Sequence, residues 1–155
     1  GFRPEAEDVW RLSQHGRVRL VIDAARPLRD QYVFMQDAYY KYSPYAQHLF
    51  GTTQNGGLFE GHVADGGSIG INMARLWKGE VGAYFMRSNW ETPWDICPVW
   101  GISRKLGFVF LKLDTKRECL SHYRPALTEI RHRDHEVLVV HESRLPELRE
   151  RVSFE

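Results

Sequence analysis

Apolar and polar positions change their period several times along the chain, and each change marks an element. Residues 81–87 (VGAYFMR), 99–103 (VWGIS), 108–113 (FVFLKL) and 137–140 (VLVV) are short apolar runs bounded by Gly, Pro or charged residues. Their β-branched and aromatic content predicts strands. Residues 18–24, 32–37 and 58–64 predict three more. Helical spacing appears over 68–77, where Ile69, Met73 and Leu76 fall on one side. Residues 4–14 predict a short helix, acidic in its first turn and stopped by His15-Gly16. Further short helices are predicted from Pro44, over 125–132 and over 146–152. Residues 52–57 and Gly66-Gly67 are turn signals, and 89–98 reads as an aromatic loop.

Many short strands separated by single-turn helices predict an α/β (α+β) fold, a compact mixed barrel with short flanking helices rather than a layered βαβ architecture. A length of 155 residues gives room for one domain with a proper core. The division read from the pattern is a helix–strand extension over 1–31 and a main domain over 32–155.

Composition changes this picture in three places. Net charge is +1, so a polyanionic partner would have to be held by a local basic patch. Aromatics reach 13%, with five Trp and seven Tyr, which permits a stacking pocket as well as a core. The two cysteines, Cys97 and Cys119, form neither a disulfide framework nor a metal-ligand spacing, which points to a reducing, intracellular compartment. No apolar run approaches the ~20 residues of a membrane span, and no signal peptide is visible.

The most specific stretch is 76–89 (LWKGEVGAYFMRSN), in which a helix ends, Gly79-Glu80 turns, and an aromatic strand with Tyr84-Phe85 runs into Ser88-Asn89. This resembles the signature of EVE domains, relatives of YTH domains in the PUA-like superfamily. Residues 99–103 are similar to that family's next strand, and 124–145 to its closing proline, helix, strand and Ser-Arg-Leu. Phe59-Glu60-Gly61 stands where the family has Trp-Asp-Gly. The resemblance implies a PUA-like β-barrel that binds rather than reacts: a reader of a modified, methylated nucleobase flipped from DNA or RNA, fused to or associated with a nuclease or ATPase module, and needing no cofactor.

The resemblance also implies a site. Phe59 and Trp90 would be its walls, with Tyr84 and Tyr39 behind them and Trp94 and Trp100 packing the loop. Asn89, Ser88 and Asp37 would read the base edge, and Arg75, Lys78, Arg87, Arg104 and Lys105 would meet phosphates.

Enzymatic readings rest on less. His132, Asp134, His135 and His141 are dense, but adjacent residues point apart on any regular element, which argues against a metal site. Glu136, opening an apolar strand near the C-terminus, resembles the catalytic glutamate of ADP-ribosyltransferases, and this is the alternative function. Cys97 lacks a His partner for nucleophilic chemistry. Gly66-Gly67-x-x-Gly70 lacks the Lys-Ser/Thr ending of a phosphate loop.

Overall fold

The computed structural model describes residues 10–13, 16–20, 22–23 and 25–155. In chain order the strands are β1 (Trp10–Ser13), β2 (Gly16–Arg19), β3 (Tyr32–Met35), β4 (Gly61–Ala64), β5 (Ala83–Met86), β6 (Asn89–Glu91), β7 (Phe108–Asp114), β8 (Cys119–His122), β9 (Arg131–Arg133), β10 (Glu136–His141) and β11 (Ser153–Phe154). The α-helices are α1 (Pro44–Phe50), α2 (Ile69–Trp77), α3 (Pro93–Lys105) and α4 (Leu145–Arg149).

Seven strands form one open mixed sheet in the order β11-β8-β7-β10-β5-β3-β4. β3 runs parallel to both β4 and β5, whereas β10 is antiparallel to β5 and β7. The expected PUA-like barrel is therefore corrected. The sheet has two edges, β4 and β11, and helices cover both of its faces.

Period-2 alternation builds the two cores. Val33, Met35, Ala83, Phe85, Leu111, Leu113, Leu138 and Val140 point to one face and pack with Ala46, Leu49 and Phe50 of α1 and Leu148 of α4. Phe34, Tyr84, Met86, Phe110, Val137 and Val139 point to the other, against Met73 and Leu76 of α2 and Ile96 and Val99 of α3. Strands buried on both faces need continuous apolar runs, which is why 81–87 and 137–140 read so strongly.

Helix α1 begins where predicted. Pro44 sits in its first turn, and the Ser43 hydroxyl accepts from the Ala46 N–H at 3.2 Å. Glu136 is only 8% exposed, and its two oxygens accept from the Ser43 N–H at 2.7 Å and the Ser43 hydroxyl at 2.5 Å. That carboxylate pins α1 to the central strand. It is consumed by the fold, so the ADP-ribosyltransferase reading loses its catalytic group.

Five predicted elements are corrected, beginning with 89–98, expected as an aromatic loop, which instead holds β6 and the first half of α3. Residues 10–13 of the predicted N-terminal helix form β1, paired antiparallel with β2; residues 4–9 and 14 lie outside the described ones. Of the strand expected over 18–24, residues 18 and 19 end β2 (Gly16–Arg19), residues 20, 22 and 23 form no strand, and 21 and 24 lie outside the described residues. Residues 99–103, expected as a strand, lie inside α3, which bears Pro98 in its interior and buries Ile96, Val99 and Ser103 at helical spacing. Residues 125–130 are not helical, and 131–133 form β9, held straight by antiparallel pairing with β6.

Candidate functional site

β3 and β5 are parallel neighbours whose following helices lie on opposite faces, α1 on one and α3 on the other. A crevice opens at the carboxyl ends of such a pair, and this is where open α/β sheets hold ligands. A cavity of about 270 Å³ occupies it. Gln36, just past β3, and Met86, the last residue of β5, line its floor, and Gly67, Ser68 and Ile69 bring in the start of α2. Thr92 and Asp95 bring in the start of α3, while β6 and Arg133 form the remaining wall.

The local sequence explains both helix starts. Gly66 and Gly67 adopt φ of 64° and 93°, left-handed values that L side chains resist. They turn the chain so that Ser68 caps α2, its hydroxyl accepting from the Ile71 N–H at 3.4 Å. Thr92 precedes Pro93 in the first turn of α3, and its hydroxyl donates to Asp95 at 2.8 Å. The N-termini of α2 and α3 thus meet at one cavity. Helix α3 begins with Pro93, which has no N–H, and its Asp95 N–H is bonded to the Thr92 carbonyl at 3.1 Å, whereas α2 presents the first-turn Ile69 and Gly70 amides. That arrangement favours an anion.

The β6 wall is held from beneath by a buried ion pair. Arg133 and Glu91 are 3% and 5% exposed and meet at 2.6 Å. The Arg133 Nε–H donates to the His135 carbonyl at 2.9 Å, and another guanidinium N–H donates to the Arg87 carbonyl. The Tyr123 hydroxyl donates to the second Glu91 oxygen at 2.7 Å. Burial, then the bond to Glu91, pushes the Tyr123 phenol well above its ordinary value. Glu91 and Arg133 are therefore spent on structure. Asp95, exposed at the helix start, is the carboxylate this wall offers to a ligand.

Four buried polar atoms among the described residues have no hydrogen-bond partner: Gln36 Oε1 on the cavity floor, and Asn72 Nδ2, the Tyr84 hydroxyl and His135 Nε2 elsewhere. Burial pushes the Tyr84 phenol up to about 12, with the nearby Asn72 side chain acting in the opposite direction.

The residues singled out from sequence are spread over the molecule. Trp90, 63% exposed, and Asn89 line the cavity, with Trp90 edge-on to His132 at 5.2 Å between ring centroids. The Asn89 side chain accepts from the Trp90 N–H at 2.8 Å. Phe59 and Tyr84 are fully buried in opposite cores, and Ser88 is exposed outside the cavity wall. Asp37 is tied to Lys41 at 2.9 Å and Arg87 at 3.1 Å. The Lys41 hydrogen bond, then the Ala38 N–H, holds its carboxyl below the usual range. Arg75 and Lys78 both pair with Glu80. Arg104 lies over the Trp100 ring, Lys105 is exposed, and Trp94 is exposed beside Asp95. Tyr39 stacks on His62. Cys97 donates to the Leu127 carbonyl.

Sequence reasoning missed Ser68, Thr92 and Asp95. The signal was present: Thr92-Pro93-Trp94-Asp95 has the Thr-x-x-acid spacing and first-turn proline of a helix start, and Gly-Gly-Ser is a turn followed by a cap. Among the described residues no group of three or more His, Cys, Asp or Glu is placed to hold a metal ion. No helix of the described residues is long and apolar enough to cross a membrane.

His135 and His141 are partly buried, and desolvation lowers the pKa of both below the ordinary histidine value. In the unfolded chain they take up protons more readily, so their contribution is present above about pH 6.5 and is lost as pH falls below it. The urea midpoint is expected to be flat from about pH 8 to 7 and to fall between about pH 6.5 and 5. An unchanged midpoint across the lower window would contradict this.

No protein-family model matches the sequence, and no curated protein does. Solved structures do match the fold. SuhB of Mycobacterium tuberculosis aligns with a TM-score of 0.57 at 14% identity, over 91% of this chain and 48% of its own. Inositol monophosphatase II from Staphylococcus aureus aligns at 0.56 and 15%, over 87% and 46%. The inositol monophosphatase from Anabaena aligns at 0.52 and 17%, over 92% and 54%. The chain thus spans about half the length of these structures. Their fold replaces the EVE/YTH assignment and removes the ground for a flipped-base reader and for a module defined as non-enzymatic. The helix–turn–aromatic strand that suggested that family is the α2–β5 unit of a layered sheet.

Proposed function

We propose that this chain is the phosphate-holding part of a phosphomonoesterase acting on a polyol or nucleoside phosphate. The observation that carries this reading is the convergence of the α2 and α3 N-termini on one cavity, at the crevice between β3 and β5, in a fold shared with inositol monophosphatases. A phosphate would be met there by the first-turn amides of α2, with α3 contributing the Asp95 carboxylate rather than donors. Structures of SaIMPase-II are known with 2′-AMP and with inositol monophosphate bound, which supports a hydroxyl-rich phosphate ester as the ligand class.

Asp95 beside a phosphate would be repulsive unless a divalent cation lay between them, and phosphatases commonly use such cations. Asp95 fits as one ligand of that cation. One carboxylate is not a metal centre, so the described residues do not make one by themselves.

Phosphate release from inositol monophosphate and from 2′-AMP by the full-length protein, with and without Mg²⁺, tests the proposal. Hydrolysis of either ester is expected. Absence of release from both, under each condition, would overturn it.

A further inference from the structure

A second concave site, sharing no lining residue with the cavity, lies between α3 and the β7–β8 pair. It is a groove of about 280 Å³ whose floor is aromatic. Trp100 stands edge-on to Phe110 at 5.0 Å between centroids, and Tyr123 closes the far side. The Tyr123 hydroxyl is occupied by Glu91, so the groove receives the body of its ring rather than its polar tip. The rim carries Arg104, Arg124 and His122, and no acidic residue lines it. The Arg104 guanidinium is held over the Trp100 ring at 5.7 Å, and neither Arg104 nor Arg124 pairs with a carboxylate among the described residues.

An apolar, flat-walled slot with two uncompensated guanidiniums at its mouth has a definite complement. Trp100 and Tyr123, the partly exposed rings of the groove, favour a planar ring inserted beside them, while Phe108 and Phe110 form its buried floor. The arginines, Arg104 from its place over Trp100, favour a phosphate in bidentate contact. The volume is near the lower end for small-molecule sites, about 300 Å³, which suits one ring system with one phosphate. We propose that this groove is a binding site for a nucleoside monophosphate, separate from the cavity at the helix N-termini.

The probe is 5′-AMP, followed by the NMR signal of the Trp100 indole N–H, assigned through Trp100→Phe. Saturable movement of that signal is expected. Arg104→Ala combined with Arg124→Ala changes two exposed side chains and should weaken the titration at least about tenfold without unfolding the protein. Ribose 5-phosphate and adenosine, each carrying half of the complement, should also bind about tenfold more weakly. The proposal fails if the Trp100 signal stays still up to about 5 mM 5′-AMP. It also fails if the double variant binds as tightly, or if ribose 5-phosphate matches 5′-AMP. Asp95→Asn should leave the Trp100 titration unchanged, so loss of phosphatase activity and loss of this site are separable.

Discussion

Asp95→Asn is expected to reduce phosphate release by at least about a hundredfold while leaving the fold intact. The size follows from position. Of the two carboxylates on the cavity wall, Glu91 is bound by Arg133 and Tyr123 and cannot be redirected without breaking a buried network. Asp95 holds only the Thr92 hydroxyl, and an asparagine oxygen accepts that bond equally well. The substitution therefore removes a charge from the cavity wall and little else. Its structural cost is the loss of a favourable charge–dipole contact in the first turn of α3, a few tenths of a kcal/mol. Initial-rate measurements beside thermal melts decide the matter. Full activity in a folded variant would place the chemistry elsewhere, and a large fall in Tm would mean that Asp95 serves structure.

The central strands β5 and β10 were legible because burial on both faces leaves them as continuous apolar runs, and β7 because its buried positions surround the half-buried Val109 and Lys112. Strands β8 and β11, short and at one end of the sheet, carried no such signal. Residues 108–113 and 137–140 needed only their neighbours to declare themselves. The starts of α1 and α2 were legible from Ser-Pro and from the spacing of Ile69, Met73 and Leu76. Helix α3 was misread because Pro98 and the β-branched Val99 and Ile102 argue locally for a break and a strand. Ile96, Val99 and Ser103 nonetheless keep one buried helical face through the proline, and packing against the sheet overrides propensity. β9 depends on pairing with β6 across more than forty residues, which no local pattern carries. The barrel was inferred because single-turn helices between strands give no sign of which face each will cover. The crevice depends on just that, with α1 and α3 parting to opposite sides. At the site, Asp95 was readable from its cap spacing, whereas the Arg133–Glu91 contact was not.

Arg133→Met is expected to destabilise the protein by about 3–5 kcal/mol, because one substitution leaves several buried groups without partners. The Glu91 carboxylate would stay 5% exposed with its cation gone, keeping only the Tyr123 hydroxyl. The carbonyls of Arg87 and His135 would lose their donors too, each a further desolvation penalty. For a chain of this size the loss corresponds to a fall in Tm of roughly 10 °C. Adding Glu91→Leu should recover most of it, since an apolar pair of similar volume is often as stable as a buried ion pair. Calorimetry or urea titration of the single and double variants provides the check. A single variant as stable as the wild type would mean that the pair is solvated in solution. A double variant no better than the single would place the cost in the two carbonyls instead. Because β6 and β9 are joined through this pair and β6 is a cavity wall, the single variant should also bind phosphate esters more weakly than its residual folded fraction accounts for.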